Sequence, residues 1–480
     1  MKMLLRRVGL GDLAAQSLAS YSATALSFLR AIVLAGILSL HDFAVLAVAS
    51  LITSLAQYAD LGAALGMEQR VAEVSSADDV VRVGQDGLRF RTATALAVSA
   101  CLLLAATTIN ASAVTEAFVG AAVVIPVQAV LSGQQGFLRG RRRFGGVAST
   151  AVMLGASSLV MGVAGALVWG LPGVFTGQVV AGVLAILLAR GFEAPLPRLG
   201  TTLKPSAELL RIGWPLAILS GAMFALVYVD QAVAGAWVGV DAVGTYSMVT
   251  NLGAAIYLLP TALAAVLAPR LLATYARHKR IDSIAGYCWR PTEALRISMP
   301  ALVAVVWLLA PIFLRAVLPK YLAATAPLRI YAAALYFLSV NLGPNATLVA
   351  LRRHGKNVPI VVGVLVVNVI ADYVLVLKLG LGLEGISWGS VIAYATYLAC
   401  HLTLIGGAFT ASRIRVGRIV WRNLWPGLAI VLALRVMSPD LGVVSSWRVL
   451  AASVVPIGLS LVLMAGNPKA EPPALAWSRT

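Results

Sequence analysis

Long apolar runs separated by short polar gaps occupy almost the whole chain. Most of them reach the ~20 residues that an α-helix needs to cross ~30 Å of hydrocarbon. The pattern therefore predicts an all-α polytopic membrane protein with about 14 transmembrane helices. The predicted spans cover residues 13–38, 43–66, 88–109, 117–138, 145–168, 171–189, 213–238, 243–268, 297–318, 326–351, 358–377, 383–409, 424–437 and 449–464.

The composition agrees with a membrane protein and excludes several other classes. The chain is 60% hydrophobic and 12% charged, with a mean hydropathy of +0.89, which is too apolar for a soluble fold of this length. Cys101, Cys288 and Cys400 form no close pair and no zinc pattern, so no metal or cofactor is expected. No Walker A motif is present, which argues against an ATP-driven pump. His401 stands alone in an apolar run and is interpreted as a hydrogen-bonded packing residue rather than a proton relay.

Lysine and arginine are concentrated in every second gap between the apolar runs. Those gaps and the two termini hold 30 of the 37 basic residues. Because short loops rich in Lys and Arg stay in the cytoplasm, we expect a multi-pass protein of the inner (cytoplasmic) membrane with both termini cytoplasmic. The first run is long enough to be a span rather than a signal peptide. This sorting explains the net charge of +18, so no nucleic-acid partner is expected.

The two halves of the chain resemble each other. A shift of 200 residues places the opening of the second run on that of the eighth, and a shift of 212 places the basic corner 141–144 on 353–356. Each half has six runs, so both begin on the same side of the membrane, as parallel repeats do. The predicted organisation is two six-helix lobes around a central cavity and two further helices. Its parts are an N-lobe at 1–195, a cytoplasmic linker at 196–212, a C-lobe at 213–409 and the last two spans with the tail at 410–480.

Three segments resemble a known family. Residues 40–73 (LHDFAVLAVASLITSLAQYADLGAALGMEQRVAE) are similar to the second span of polysaccharide and lipid-linked oligosaccharide flippases, with Ala44 where that family has Gly. Residues 137–145 (FLRGRRRFG) resemble the corner between spans four and five. Residues 209–271 resemble spans seven and eight, with a Gly-x-Pro opening, a mid-span Asp and a Val-Gly-x-Tyr turn. The resemblance covers spans one to twelve and implies the multidrug/oligosaccharidyl-lipid/polysaccharide exporter superfamily.

Polar residues within several runs repeat at helical spacing, so each set lies on one face of its helix. Small polar residues can mediate close helix packing. For the sets that contain Gln, Asp or Arg we favour a wet central cavity, because such side chains are costly in contact with lipid. The sets are Gln16, Ser20, Thr24, Ser27 and Arg30; Ser50, Ser54, Gln57 and Asp60; Gln128, Ser132, Gln135 and Arg139; and Tyr246, Thr250, Tyr257 and Thr261.

Arg30 and Asp230 are the most informative candidates. Arg30 lies eight residues from the outer end of its run, about 12 Å deep at 1.5 Å per residue, and Asp230 matches it under the 200-residue shift. Either the two form an ion pair between the lobes, or Arg30 binds an anionic headgroup that Asp230 tunes or releases. A guanidinium matches phosphate oxygens, which suits the pyrophosphate lipid that the family resemblance implies. Further candidates are Asn368, Asp372, Arg315 and Arg329.

The sequence thus favours a flippase for a polyprenyl-pyrophosphate-linked oligosaccharide that works by alternating access without covalent chemistry. Its expected partners are the lipid-linked glycan, membrane lipids, and a glycan polymerase or glycosyltransferases. One alternative is a drug or cation exporter of the same superfamily, which should have an acidic cavity. Another is a membrane glycosyltransferase or glycan polymerase, which generally needs an outer loop longer than the ~10 residues available here. A non-transporting scaffold also stays open.

Overall fold

The computed structural model describes residues 10–109, 111–197, 207–351, 354–437 and 447–465, with side chains of the first helix described from Tyr21 onward. Every regular element in these ranges is helical. The α-helices are, in chain order, α1 (Leu10–Ile37), α2 (Leu40–Ala56), α3 (Ala63–Glu73), α4 (Ala77–Thr108), α5 (Ser112–Gly140), α6 (Phe144–Trp169), α7 (Leu171–Gly191), α8 (Ala207–Val233), α9 (Val240–His278), α10 (Ala285–Val317), α11 (Thr325–Val340), α12 (Leu342–Ala350), α13 (His354–Asp372), α14 (Gly382–Phe409), α15 (Arg413–Met437) and α16 (Trp447–Ala465). Shorter elements are π-helical turns at Ala234–Val238 and Tyr373–Lys378 and 3-10 turns at Ile281–Ile284 and Pro319–Ala324.

The helices have the lengths and composition of membrane spans. Within the described residues, ten helical segments are long and apolar enough to cross a bilayer, and shorter apolar stretches lie at Tyr21–Ile37 of α1, at Leu40–Ala56 and at Val454–Leu463 of α16. Each of the predicted runs overlaps at least one helix, and two runs are each divided into two helices, α2 with α3 and α11 with α12. The all-α membrane class is confirmed, whereas the count of fourteen spans stays a prediction.

The second apolar run is broken into α2 and α3 by a turn. Leu61 and Gly62 both adopt left-handed backbone conformations, with φ of 49° and 87°. The carboxylate of Asp60 accepts hydrogen bonds from the backbone N–H groups of Gly62 (2.9 Å) and Ala64 (3.2 Å), which caps α3. A Cβ at position 62 would also overlap the carbonyl group of Gly213 in α8. Glycine satisfies both requirements, because it adopts positive φ freely and has no side chain.

The helices form two compact units, Met1–Phe224 and Ala225–Thr480. In the first, α6 packs along α1 and α7, and α5 contacts α2, α3, α4 and α7. In the second, α11 is almost wholly buried among α9, α10, α14 and α15. The boundary between the units falls inside α8. The linker expected at 196–212 lies partly outside the described residues, so the lobe division by sequence stays a prediction.

Proline in α10 explains the position of one buried arginine. Pro311 has no N–H, so the carbonyl of Trp307 one turn earlier lacks its helical partner. The guanidinium of Arg329, on α11, donates to that carbonyl through Nε (3.2 Å) and Nη2 (3.1 Å). The indole Nε1 of Trp307 donates back to the carbonyl of Arg329 at 2.9 Å. Arg329, a cavity candidate by sequence, is thus 1% exposed and placed in the packing between α10 and α11.

The last helix is bonded into α10 through one hydroxyl. Ser460 of α16 accepts a hydrogen bond from the N–H of Ala301 (3.0 Å) and donates one to the carbonyl of Ile297 (2.7 Å). These two backbone groups are four residues apart and would otherwise bond to each other within α10. A side chain that enters the helical ladder in this way bends the helix. Helix α16 is therefore part of the packing of the second unit.

Candidate functional site

Polar faces of the first, second and fourth apolar runs meet in one cavity of the first unit. The cavity has a volume of about 350 Å³ and is lined by α1, α2, α5, α6 and α7 and by the turn after α2. Its polar lining comprises Ser27, Arg30, Ser50, Thr53, Ser54, Gln57, Gln128, Gln135, Ser158 and Gln178. The structure therefore brings together seven residues of the polar sets predicted from the sequence, Ser27, Arg30, Ser50, Ser54, Gln57, Gln128 and Gln135. Sequence reasoning missed Thr53, Ser158 and Gln178; Ser158 follows Ser157 directly and Gln178 comes two residues after Thr176, both in otherwise apolar runs.

Glycines in α6 allow Arg30 to lie along that helix. Ser27 and Arg30 are three residues apart and share one face of α1. Helix α1 approaches α6 closely at Gly155, where a Cβ would stand 3.2 Å from the Cβ of Leu26. Two turns further along α6, a Cβ at Gly162 would stand 3.9 Å from Nε of Arg30. The space left by Gly162 is therefore available to the guanidinium.

The cavity of the first unit is cationic. Among the described residues, no Asp or Glu lines it, and Arg30 forms no ion pair with any of them. A guanidinium presents several N–H donors in a planar fork that fits phosphate oxygens. The glutamine amides and the hydroxyls can both donate and accept, as recognition of sugar hydroxyls requires. The cavity therefore has the groups needed to hold an anionic headgroup that carries sugars.

Asp60 lies beside this cavity and forms an ion pair with Arg91. Its Oδ2 atom lies 2.6 Å from Nη1 of Arg91 in α4, and both side chains are buried. Arg91 also donates to the carbonyl of Gln57 (3.2 Å) and the hydroxyl of Ser132 (2.8 Å). The sequence analysis counts Arg91 with the basic residues of a cytoplasmic gap, although it is the fourth residue of the run 88–109. In the structure it fixes the broken second span against α4 and α5.

A second polar cluster lies in the second unit around Asp230. The carboxylate is fully buried and accepts hydrogen bonds from the hydroxyl of Tyr246 (3.0 Å), the amide of Asn368 (2.7 Å) and the hydroxyl of Ser390. These donors belong to α9, α13 and α14, so one carboxylate of α8 joins four helices. Sequence reasoning selected Asp230 and Asn368. It missed Ser390, whose only signal is a hydroxyl in an apolar run.

Asp372 adds a second carboxylate to this cluster. It lies one turn after Asn368 on the same face of α13, is fully buried and interacts electrostatically with Asp230. Among the described residues, neither carboxylate oxygen of Asp372 has a hydrogen-bond partner, and neither has the side-chain oxygen of Asn368. The carboxylate lies so close to Gly389 of α14 that a Cβ there would overlap it. Gly389 therefore makes room for this charge.

Both carboxylates come just before a π-helical turn. The turn Ala234–Val238 begins four residues after Asp230, and Tyr373–Lys378 begins directly after Asp372. Single π-helical turns within α-helices occur frequently at functional sites. Two adjacent buried carboxylates are unfavourable as unneutralised anions, and a proton or a small hard cation with oxygen ligands would neutralise them. No group of three or more His, Cys, Asp or Glu side chains converges in the part of the chain that the structure describes.

The other candidates from the sequence lie apart from these two clusters. Thr24 is exposed on α1, Arg315 is exposed in the last turn of α10, and Tyr257 is half-buried on α9. The side chain of Gln16 lies outside the described residues. Among the described residues, none of the first three lines the cavity of the first unit.

His401 of α14 is buried between two asparagines. Its Nδ1 lies 3.0 Å from the side-chain oxygen of Asn341, and its Nε2 lies 2.8 Å from that of Asn357. The ring of Tyr397 packs against the imidazole, with 4.2 Å between the centroids. These contacts join α14 to α13 and to the junction of α11 and α12, and they agree with the packing interpretation.

The family of the chain follows from its sequence. The family model described as polysaccharide biosynthesis protein matches residues 12–274, which is more than half of the chain. The protein therefore belongs to this family, as its motifs predicted. No curated protein shows a significant match to the sequence.

Solved structures with this fold are membrane transporters. An inward-facing multidrug resistance MATE family transporter of the MOP superfamily is 17% identical over 84% of this chain and 98% of its own, with a TM-score of 0.68. The lipid II flippase MurJ, in an inward closed conformation, is 14% identical over 94% of this chain and 98% of its own, with a TM-score of 0.64. A MOP superfamily transporter from Pyrococcus furiosus is 16% identical over 85% and 96%, with a TM-score of 0.57. The protein is a multi-pass membrane protein with the MOP fold.

Proposed function

We propose that this protein is a flippase that moves a polyprenyl-pyrophosphate-linked oligosaccharide from the cytoplasmic to the outer leaflet of the inner membrane. The translocated glycan is then used for a cell-surface polysaccharide. One observation carries the proposal: Arg30 lies among glutamines and hydroxyls in a cavity with no carboxylate among its described lining residues. Membership of the polysaccharide biosynthesis family supports it, as does the fold shared with the lipid II flippase MurJ.

The chemistry of the cavity suits reversible binding of such a substrate. A charged residue within a span costs ~2.5–3.5 kcal/mol on insertion scales, so a bound pyrophosphate would relieve that cost. A single arginine holds the headgroup less tightly than an arginine cluster would, which permits release. Gln57, Gln128 and Gln178 offer amides to the first sugars. The polyprenyl chain stays in the hydrocarbon of the bilayer during transport, so it does not have to be transferred into water.

The location and partners follow from the same proposal. The charge split between alternate loops supports a cytoplasmic-membrane protein with both termini inside. Transport of an intact lipid-linked glycan breaks and forms no covalent bond, so the protein acts without catalysis. Glycosyltransferases that make the substrate and a polymerase that consumes it are the protein partners that this role requires.

The carboxylate cluster of the second unit is a site for a coupling ion. Asp230 is satisfied by three donors, whereas Asp372 has two oxygens with no partner among the described residues. Without an ion the two carboxylates carry two negative charges. A proton or a small monovalent cation bound at Asp372 would reduce this to one. Ion binding there can drive a conformational change only if the ion binds the two conformations unequally.

A drug or cation exporter is the second candidate, favoured by the fold shared with the MATE family transporter and by the same carboxylates. The two functions differ in the cargo that the cavity of the first unit accepts. Arg30, the one cation among the described lining residues of that cavity, disfavours a cationic drug.

The test is removal of the gene from cells that make the polysaccharide. We expect loss of surface glycan and accumulation of the lipid-linked oligosaccharide on the cytoplasmic leaflet, both restored by the wild-type gene. Unchanged surface glycan with increased drug sensitivity would establish the exporter.

A further inference from the structure

A groove at the predicted cytoplasmic end of α9 and α10 has a composition that no step of the proposed transport uses. Its volume is about 600 Å³, within the range of about 300–1,000 Å³ that small-molecule sites occupy. The two helices line it together with Ser283 of the 3-10 turn between them. The lining residues that matter here are Leu263, Leu267, Arg270, Tyr287, Arg290 and Pro291.

The apolar and charged parts of the groove lie at different depths. The apolar run of α9 ends at Ala268 in the sequence, and Arg270 lies two residues beyond it, about 3 Å along the helix axis. Leu263 and Leu267 are therefore next to the hydrocarbon, and Arg270 is at headgroup depth. Tyr287, with an apolar ring and a polar hydroxyl, is typical of the membrane interface.

The positive charge in the groove is not neutralised by neighbouring carboxylates. Arg270 and Arg290 are exposed, come from two helices and form no ion pair with any described residue. The nearby acidic residues have partners elsewhere: Asp282 pairs with Arg280 (3.7 Å), and Glu293 pairs with two arginines outside the groove. No described lining residue of the groove is acidic. An anion that bound here would meet two cations and no repulsion.

We propose that this groove binds an anionic phospholipid of the cytoplasmic leaflet. The phosphate lies between Arg270 and Arg290 within reach of the Tyr287 hydroxyl, and an acyl chain lies along Leu263 and Leu267. Basic pockets between transmembrane helices on the cytoplasmic side are known to bind anionic headgroups. Such a lipid would remain bound and stabilise the junction of α9 and α10, unlike the cargo of the cavity in the first unit.

The test uses the purified full-length protein and two lipids of equal chain length, dioleoyl phosphatidylglycerol and dioleoyl phosphatidylcholine. Retained lipid is measured by native mass spectrometry after titration. We expect the protein to retain phosphatidylglycerol preferentially. Each of Arg270→Gln and Arg290→Gln should weaken this binding about fivefold, since one basic residue near an anionic lipid contributes about 1 kcal/mol. Arg277→Gln, on the same helix but outside the groove, should leave it unchanged.

A second variant tests the groove rather than its charge. Gly286 lines the groove, and no atom lies within 4 Å of a Cβ built on it, so the Cβ of Gly286→Leu meets open space and the leucine side chain takes up groove volume. It should lower retention of both lipids while the melting temperature in phosphatidylcholine stays unchanged. Equal retention of the two lipids by the wild type, or full phosphatidylglycerol binding by the double arginine variant, would overturn the proposal. Displacement of phosphatidylglycerol by an equal concentration of undecaprenyl pyrophosphate would assign the groove to the transported lipid and also overturn it.

Discussion

Asp60 and Arg91 form a buried ion pair at the point where the second span breaks, with 2.6 Å between Oδ2 and Nη1. The same carboxylate caps α3 through the backbone N–H of Gly62, and the same guanidinium donates to the carbonyl of Gln57. Gln57 is a lining residue of the cavity that contains Arg30. The ion pair therefore positions one wall of the proposed substrate site.

Removing one partner of this pair should be strongly destabilising. Arg91→Leu leaves the Asp60 carboxylate buried without its cation, and breaking such a pair costs about 3–5 kcal/mol. The melting temperature of the purified protein measures the effect. Arg82→Leu is the matched control on α4, because Arg82 forms an exposed pair with Asp79 that should contribute at most ~1 kcal/mol. Equal effects of the two variants would show that the buried pair does not hold the broken span.

A methyl group at Gly389 should disturb the second cluster. Gly389→Ala places a Cβ on the carboxylate of Asp372, and overpacking of this kind costs ~1–3 kcal/mol, or about 5–150-fold in an equilibrium. We expect a loss of transport in that range. Gly363→Ala, on α13, is the control, because nothing lies within 4 Å of its Cβ and alanine favours a helix by up to ~1 kcal/mol. Transport by Gly389→Ala at the rate of Gly363→Ala would contradict the close contact.

The charge of Asp372 should set the ion dependence of transport. Asp372→Asn keeps the size of the side chain and removes its negative charge. The cluster then has one carboxylate, Asp230, instead of two, and it no longer needs an ion to neutralise the pair. We expect the variant to accumulate normally and to lose any acceleration by an inward proton or sodium gradient. The measurement is the initial transport rate in proteoliposomes with and without each gradient. An acceleration equal to that of the wild type would exclude the cluster as the coupling site.

Much of the first-unit cavity could be predicted from the sequence, because its residues repeat along helix faces. Arg30, Gln57 and Gln128 each share a face with other polar residues, and helical spacing alone places them together. Gln178 and Ser158 complete the cavity from α6 and α7, whose polar residues the sequence analysis did not select, so the packing of these two helices is what reveals them.

The roles of the buried arginines could not be predicted, because they depend on tertiary neighbours. By sequence Arg91 reads as a loop residue and Arg329 as a cavity residue. In the structure one neutralises Asp60, and the other donates to the carbonyl that Pro311 leaves free on Trp307. The proposed pairing of Arg30 with Asp230 stays a prediction.

The membrane orientation is testable with reporter fusions. The unequal distribution of Lys and Arg requires alternate loops to be cytoplasmic. Fusions after Arg142, Lys279 and Arg415 should be active with a cytoplasmic reporter, and fusions near His41, Asp241 and Lys320 should be active with an extracytoplasmic one. An extracytoplasmic signal at Arg142 would invert the whole arrangement.

Variants of Arg30 distinguish a role in headgroup recognition from a purely structural role. Arg30→Ala should abolish glycan export with normal protein levels, and Arg30→Lys should be partly active, since ammonium keeps the charge but lacks the planar fork. Arg315→Ala, an exposed arginine outside the cavity, should be fully active. If Arg30 only neutralises Asp230, the double variant Arg30→Ala/Asp230→Ala should recover export, because it removes both buried charges.

The most direct measurement is the initial rate at which a lipid-linked oligosaccharide changes leaflet in proteoliposomes containing the wild type, Arg30→Ala or the double variant. Insertion is checked for each protein, and headgroup exposure is read with a sugar-specific lectin on one side. We predict rapid movement with the wild type and none above protein-free vesicles with either variant. A wild-type rate with Arg30→Ala, or a rate restored by the added Asp230→Ala, would contradict headgroup binding by Arg30.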